Sequence, residues 1–254
     1  MLFSVFFIKI AVSNNSRSVR ERKGMDEQES FPHLYIPCYV QDLSPVWEKF
    51  LHMGRKMTYK KGDSFFLGKE QDSFGYIKSG LTCCYVKEEI GHVDEIRFFI
   101  GKRCLIKETF MSANYGNFYT YHKCLTDVEM YLFDRNMITD VEIINNNPEL
   151  LKNYIFSISA KSVSAQLFAS LLKQKSNLQK IAVYLYGFYL LNKPSLCFRP
   201  PLTQIQLAEL LGLTNITVNR IITKLKNEKI ISCYTKNKIQ IIDIDKMREL
   251  RSSY

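Results

Sequence analysis

The chain has 254 residues, 46% of them hydrophobic, and it carries a formal net charge of +10 at pH 7. This length and composition allow one large or two modest domains with a packed core, as in an ordinary soluble protein. The basic balance favours a polyanionic partner, either nucleic acid or an acidic membrane surface, and by itself it does not choose between the two.

The first 30 residues are predicted to be a disordered or non-native extension. Residues 1–12 are apolar but too short to span a bilayer as a helix, and they lack the basic start and cleavage site of a signal peptide. A second methionine, Met25, opens an acidic stretch, so our hypothesis is that translation starts there. No other stretch resembles a membrane helix, which predicts a cytoplasmic protein without a membrane partner.

Residues 31–146 are predicted to form a β domain. Short runs rich in β-branched and aromatic residues alternate with turn-like segments, a pattern typical of a sandwich or barrel. The expected strands are 64–67, 74–77, 82–86, 95–100 and 128–133.

The seven cysteines, five of them in this β region, form no recognisable motif. Their number is odd, their spacing is irregular, and the sequence contains no C-x-x-C pair and no zinc-finger arrangement. We therefore expect reduced thiols in a protein with no metal and no cofactor, with a redox pair as the alternative.

A long helix is predicted over residues 147–175. Asn147 is a candidate N-cap, Pro148 suits the first helical position, and no proline or glycine interrupts the next seven or so turns. Apolar residues occur on more than one side, and many Ser and Ala residues allow another helix to approach closely. These features favour a dimerisation helix, with packing of one face on the β domain as the alternative.

Residues 176–254 are predicted to form a DNA-binding domain. After a helix over 177–192, Thr203 caps a short amphipathic helix, Gly212 suits the turn, and Thr214 caps a second helix that reaches about Asn227. With small Ala208 at the crossing and apolar residues facing inward, this is the pattern of a helix-turn-helix.

Two predicted strands, 229–234 and 239–242, flank a turn and complete a winged helix. From residue 195 to 254, ten Lys and Arg outnumber five Asp and Glu, a net of +5 that suits a phosphate backbone. The predicted DNA-binding residues are Thr203, Thr214, Asn215, Ile216, Thr217, Asn219, Arg220, Lys224, Lys236 and Lys238.

This order of parts resembles the CRP/FNR superfamily of bacterial transcription regulators, and residues 212–221 resemble its turn and recognition-helix signature. The resemblance implies an α+β fold: a cyclic-nucleotide-binding-type β-roll, a long dimerisation helix and a C-terminal winged helix-turn-helix. It also implies a homodimer on a palindromic operator in double-stranded DNA, with Arg220 on a guanine or a phosphate. Asn215 and Ile216 stand where many members carry an Arg-Glu pair for base readout, so we do not expect this protein to recognise the half-site sequence usual in the family.

The resemblance further implies a small-molecule effector in the roll. The Arg-Ser pair that grips cyclic AMP is missing, and the N-terminal cysteine group that holds an iron–sulfur cluster is reduced to Cys38, so we predict neither ligand. The aromatic β region is similar to that of members that sense halogenated phenols, and a phenolate needs a nearby cation. The candidate effector residues are Tyr76, Lys107, Tyr119, Tyr121 and Lys123, with sheet packing and surface exposure as the alternative.

Together these features predict a dimeric regulator, not an enzyme, that is gated by an effector, with an aromatic or phenolic compound as the candidate. RNA polymerase is a further candidate partner. One alternative is a redox-responsive regulator of the same family that uses cysteine thiols. A cupin-type β-roll enzyme is another, but it needs clustered His and carboxylates, and the four histidines show no such motif. A third alternative is a ligand-binding interaction protein whose winged helix contacts another protein instead of DNA.

Overall fold

A computed structural model describes residues 36–67, 73–88, 94–108, 118–192 and 195–252. Contacts divide the chain into two units, Met1–Phe31 and Pro32–Tyr254, and all of the described residues belong to the second. The hypotheses about residues 1–30 and about a start at Met25 therefore lie outside the described residues.

Two sheets form a β-roll in the N-terminal half. The strands are β1 (Tyr39–Val40), β2 (Arg55–Tyr59), β3 (Ser64–Phe65), β4 (Ser73–Ser79), β5 (Leu81–Glu88), β6 (Asp94–Gly101), β7 (Cys104–Ile106), β8 (Phe118–Cys124) and β9 (Val128–Asp134). One sheet has the order β1-β6-β5-β8-β3 and the other β2-β9-β4-β7. The pairs are antiparallel except β1 with β6.

Four of the five predicted strands are confirmed as β4, β5, β6 and β9, whereas the one predicted at 64–67 ends at Phe65. Sequence analysis missed β2 because its polar, largely exposed residues show no apolar face. It also missed the 3-10 helix Pro45–Met53, whose buried Trp47 packs with Phe74 and Phe133. At the turn between β4 and β5, Gly80 has φ +103° and a Cβ there would lie 2.4 Å from the Asp127 carbonyl oxygen, so only glycine fits.

Alternation along the strands separates the inside of the roll from its outside. On the β5–β8 pair, Thr82 stands opposite Cys124 and Cys84 stands opposite His122, and all four side chains face inward. The His122 ring stacks on Phe65, with ring centroids 5.1 Å apart. The roll interior is therefore apolar and thiol-rich around one buried imidazole.

Three helices connect the roll to the C-terminal region: α1 (Asn136–Thr139), α2 (Val141–Asn146) and α3 (Pro148–Leu172). The prediction of a long helix from Pro148 is confirmed, but α3 ends at Leu172, a few residues earlier than expected. Asn147 occupies the N-cap position without capping, because its side-chain amide donates to the Ile143 carbonyl of the preceding helix.

Helix α3 buries one stripe and exposes another. Leu150, Tyr154, Ser157, Ala160, Ser164 and Leu171 form the buried stripe, whereas Ile155, Val163, Leu167 and Leu172 are 40–56% exposed. The sequence predicts no membrane helix, but by length and composition alone α3 could cross a membrane. Within that span, 22% is buried in the fold. The exposed apolar stripe is thus open for a further contact.

The C-terminal region contains α4 (Asn177–Leu191), β10 (Cys197–Phe198), α5 (Gln204–Leu211), α6 (Asn215–Asn227), β11 (Ile231–Tyr234), β12 (Ile239–Ile241) and α7 (Ile244–Ser252). Its core is shared with the roll: Cys83 and Phe99, on the outer face of the five-stranded sheet, join the same apolar cluster as Ile181 and Leu207. The predicted α+β fold with a roll, a long helix and a winged helix-turn-helix is therefore confirmed.

We expect the free energy of unfolding to fall as the pH is lowered from 7 to 5. Burial, with a smaller effect of the Lys161 ammonium, lowers the pKa of His122 from 6.5 to about 3. Below pH 6.5 the unfolded chain binds a proton that the folded chain does not, so stability is retained above that pH and lost progressively towards pH 3. At ~1.36 kcal/mol per pH unit, the loss at pH 5 is about 2 kcal/mol.

Urea denaturation at pH 7 and pH 5 checks this expectation. His122→Leu should remove most of the pH dependence, whereas His52→Leu, which changes an exposed histidine of the 3-10 helix, should keep it. An unchanged pH dependence in His122→Leu would contradict the assignment.

Candidate nucleic-acid interface

The first helix of the motif, α5, is fixed by its cap and by a bond to the wing. The Thr203 side chain accepts from the Gln206 amide, and the Gln206 side chain accepts from the Thr203 amide, which completes a capping box. The Gln204 side chain donates to the Tyr234 carbonyl over 2.6 Å. The Thr203 hydroxyl, predicted to contact DNA, therefore also has a structural task.

The turn between the helices follows from one glycine. Gly212 adopts φ 62° and ψ 32°, and the Leu213 amide donates to the Ala208 carbonyl over 2.9 Å. This left-handed residue lets α5 end and the chain reverse without Cβ strain. Thr214 then caps α6, since its hydroxyl accepts from the Thr217 amide at 3.1 Å.

The second helix, α6, has one buried and one exposed side. Val218, Ile221, Ile222 and Leu225 are buried against the domain core. The opposite side forms one continuous exposed surface, which we call the reading face. It consists of Ile216, Asn219, Arg220, Thr223, Lys224 and Asn227.

The reading face is polar and basic except at one position. Asn219 offers an amide donor and acceptor, and Arg220 offers a guanidinium, the groups that pair with base edges or phosphates in a major groove. Lys224 lies 3.7 Å from Glu228 across one helical turn, an exposed pair that holds its ammonium loosely. The exception is Ile216, whose surface is 81% exposed.

The wing adds a second basic surface. Strands β11 and β12 pair with Tyr234 opposite Ile239, and the Thr235 hydroxyl accepts from the Lys238 amide to close the turn. Lys236 and Lys238 are exposed at the tip, as the sequence predicted for a phosphate-contacting wing.

The predicted DNA-binding residues are thus arranged in three places. Asn215, Ile216, Asn219, Arg220 and Lys224 lie exposed along α6, and Lys236 and Lys238 lie at the wing tip. Thr203, Thr214 and Thr217 lie at the starts of the two helices, where the first two act as caps. Their contacts with DNA remain predictions.

The candidate effector residues whose side chains the structure describes lie in different parts of the roll. Tyr76 packs in the cluster of Trp47 and Phe74 on the outer side of the four-stranded sheet. Tyr121 stacks on Tyr85, which packs on the outer side of the other sheet, with ring centroids 5.2 Å apart. Lys123, opposite Ser64 at the β3–β8 pair, is exposed.

Of the remaining two, Lys107 donates to the Leu67 carbonyl over 2.6 Å, and the side chain of Tyr119 lies outside the described residues. Tyr76 and Tyr121 therefore lie on the outer faces of different sheets, and the assignment of these residues to an effector stays a prediction.

A buried polar cluster that sequence analysis missed lies between the roll and α3. The Glu108 carboxylate accepts from the Lys161 ammonium at 2.6 and 2.7 Å and from the Ser157 hydroxyl at 2.6 Å. The Tyr154 hydroxyl donates to the Glu108 carbonyl, and Arg135 reaches that hydroxyl at 3.4 Å. The available signal was that Lys161 is the only charged residue between Asn153 and Leu172.

Comparisons with known proteins agree with this arrangement. Residues 179–250 match the family model of the Crp-like helix-turn-helix domain. CprK complexed with OCPA has a similar fold, with a TM-score of 0.66 and 17% identity over 87% of this chain and 100% of that one.

Two further solved structures share this fold. A mutant of CooA from Carboxydothermus hydrogenoformans has a TM-score of 0.68 and 16% identity over 84% of this chain and 96% of that one. FixK2 from Bradyrhizobium japonicum has a TM-score of 0.62 and 14% identity over 79% of this chain and 98% of that one. No curated protein sequence matches the chain.

The family match and the geometry of the structure both identify the helix-turn-helix region. The matched region contains the capped helices, the glycine turn, the reading face and the wing. The structural likeness extends over the roll and α3 as well. Residues 179–250 therefore match the Crp-like helix-turn-helix domain, and the chain as a whole shares its fold with CprK, CooA and FixK2.

Proposed function

We propose that this protein is a cytoplasmic, homodimeric transcription regulator that binds a palindromic operator and is gated by a small molecule bound beside α3. The observation that carries the proposal is the reading face of α6, an exposed polar and basic surface on a Crp-like helix-turn-helix. Two such faces in a two-fold dimer suit half-sites one helical turn, ~34 Å, apart. RNA polymerase is the partner that such a regulator would recruit or obstruct.

The dimer is supported by the solvent side of α3. Over the 20 residues from Asn153 to Leu172 the only charged side chain, Lys161, points inward to Glu108. Ile155, Val163 and Leu167 remain exposed on a face without charge. Such a face is covered when a second copy of the helix packs on it.

Gating is supported by the position of the Glu108–Lys161 pair. Lys161 belongs to α3, and Glu108 lies two residues after the end of β7. An anionic aromatic ligand, such as a phenolate, can replace Glu108 as the partner of Lys161 and so change how the roll holds α3. CprK, a neighbour in fold, is known in complex with OCPA.

The redox alternative is weakened by the state of the thiols in the roll. Desolvation by burial raises the pKa of Cys38, Cys83 and Cys104 to about 12, and that of Cys84 and Cys124 to about 11. The thiolate is the form that reacts, so these thiols are poor redox sensors.

Among the described residues, no group of three or more His, Cys, Asp or Glu side chains is arranged to hold a metal ion.

Replacing Arg220 tests the DNA contact. Arg220→Ala should reduce the preference for operator over random DNA by about 1–3 kcal/mol if the guanidinium is bidentate to guanine. Fluorescence anisotropy with both duplexes in moderate salt measures this preference. Arg97→Ala, which removes an exposed arginine of the roll, is the matched control. Equal losses on both duplexes would show that Arg220 only contacts phosphate.

A charge on the open stripe of α3 tests the dimer. Val163→Glu should shift the protein from dimer to monomer in light scattering after gel filtration, because burying an unpaired carboxylate at the interface is costly. Val141→Glu, at a 71% exposed valine of α2, should leave the dimer intact. A Val163→Glu variant that stays dimeric at micromolar concentration would place the interface elsewhere.

Thermal-shift screening tests the effector. Phenols and aryl carboxylates should raise the melting temperature more than cyclic AMP does, whereas stabilisation by cyclic AMP alone would overturn the ligand class. The Glu108→Gln/Lys161→Met double variant should lose the shift without leaving a buried charge unpaired. Glu108→Gln alone should keep the shift, because Lys161 remains available to an anion.

A further inference from the structure

We propose that Ile216 reads a thymine in each half-site, by packing against the C5-methyl group in the major groove. The inference rests on the proposed function, since it assigns the base that the reading face selects. It makes one apolar side chain, rather than a hydrogen-bonding one, a determinant of the operator sequence.

Ile216 lies on the midline of the reading face, at its N-terminal end. At 3.6 residues per turn, Ile216, Arg220, Thr223 and Asn227 form one line along α6, opposite the buried Val218, Ile221, Ile222 and Leu225. Ile216 is the member nearest the N-terminus of the helix, the part of a recognition helix that contacts base edges.

Folding does not account for an isoleucine at this position. Its surface is 81% exposed, the highest value among the exposed large hydrophobic residues that the structure describes. A β-branched residue is also a moderate helix former and gains nothing from packing here. The side chain is therefore placed where an external partner can cover it.

The flanking charges and amides indicate what that partner is. Arg220 and Lys224 follow Ile216 along the same face, so the partner is a polyanion rather than an apolar protein surface. In the major groove, the apolar group on a base edge is the thymine methyl, and isoleucine has no hydrogen-bonding atom in its side chain. Asn219, beside it, carries the amide suited to adenine N6 and N7, which favours A·T pairs in the same half-site.

Deoxyuridine substitution removes the methyl group and nothing else. After an operator is selected from random duplexes, the invariant thymine is replaced by deoxyuridine in one half-site and the dissociation constant is measured. For the wild-type protein we expect it to rise about fourfold, the factor equivalent to ~0.8 kcal/mol for one methylene-sized group. For Ile216→Ala we expect weaker binding that no longer distinguishes thymine from uracil.

Ile205→Ala is the matched control, because Ile205 is a 56% exposed isoleucine of α5 outside the reading face. This variant should retain the fourfold discrimination. The inference is overturned if the selected operator contains no invariant thymine, if wild-type protein binds the uracil duplex equally well, or if Ile216→Ala still discriminates. Failure to select any sequence over random DNA would instead overturn the proposed function.

Discussion

The burial of helix α4 is the constraint on which the rest of this structure depends. All eight residues from Ile181 to Phe188 are buried, so the helix has no solvent side in its middle two turns. Its buried residues belong to one apolar cluster that also contains Leu207 of the winged helix and Phe99 of the five-stranded sheet. The Tyr184 hydroxyl also donates to the Pro37 carbonyl over 2.8 Å. The reading face therefore has a defined position relative to the roll, because one core holds both.

Helix α3 supports the same arrangement from the other side through polar contacts. The Cys38 amide donates to the Ser164 hydroxyl, and the Trp47 indole donates to the Asn153 side chain. The Lys161 ammonium, buried against Glu108, adds a charged contact whose loss leaves an unpaired ion. Such polar pairs fix the position of α3 along the roll, since a shifted helix would leave each partner without its hydrogen bond.

The local signals in the sequence are sufficient for the helix-turn-helix and for most strands of the roll, but not for a binding site inside the roll. Gly212 and the two capping threonines fix the helix-turn-helix through contacts within a few residues, which is why their pattern can be read directly. Tyr76 and Tyr121 were grouped by composition, yet they lie on the outer faces of different sheets. Which strands pair, and so which side chains meet, depends on long-range register that no short motif contains.

The ion pair of Lys161 and the open stripe of α3 are two consequences of one pattern. Over 20 residues α3 carries a single charge. If that charge pointed outward, the outer face would be charged, and if it points inward, it needs a buried partner. Here the charge is turned inward to Glu108, and Val163 and Leu167 stay exposed on an outer face without charge. In the proposed mechanism, a ligand that changes the inner contact therefore acts on the same helix that carries the proposed dimer contact. Because α4 shares one core with the roll and the winged helix, the proposed mechanism needs no separate mechanical link between the roll and the reading face.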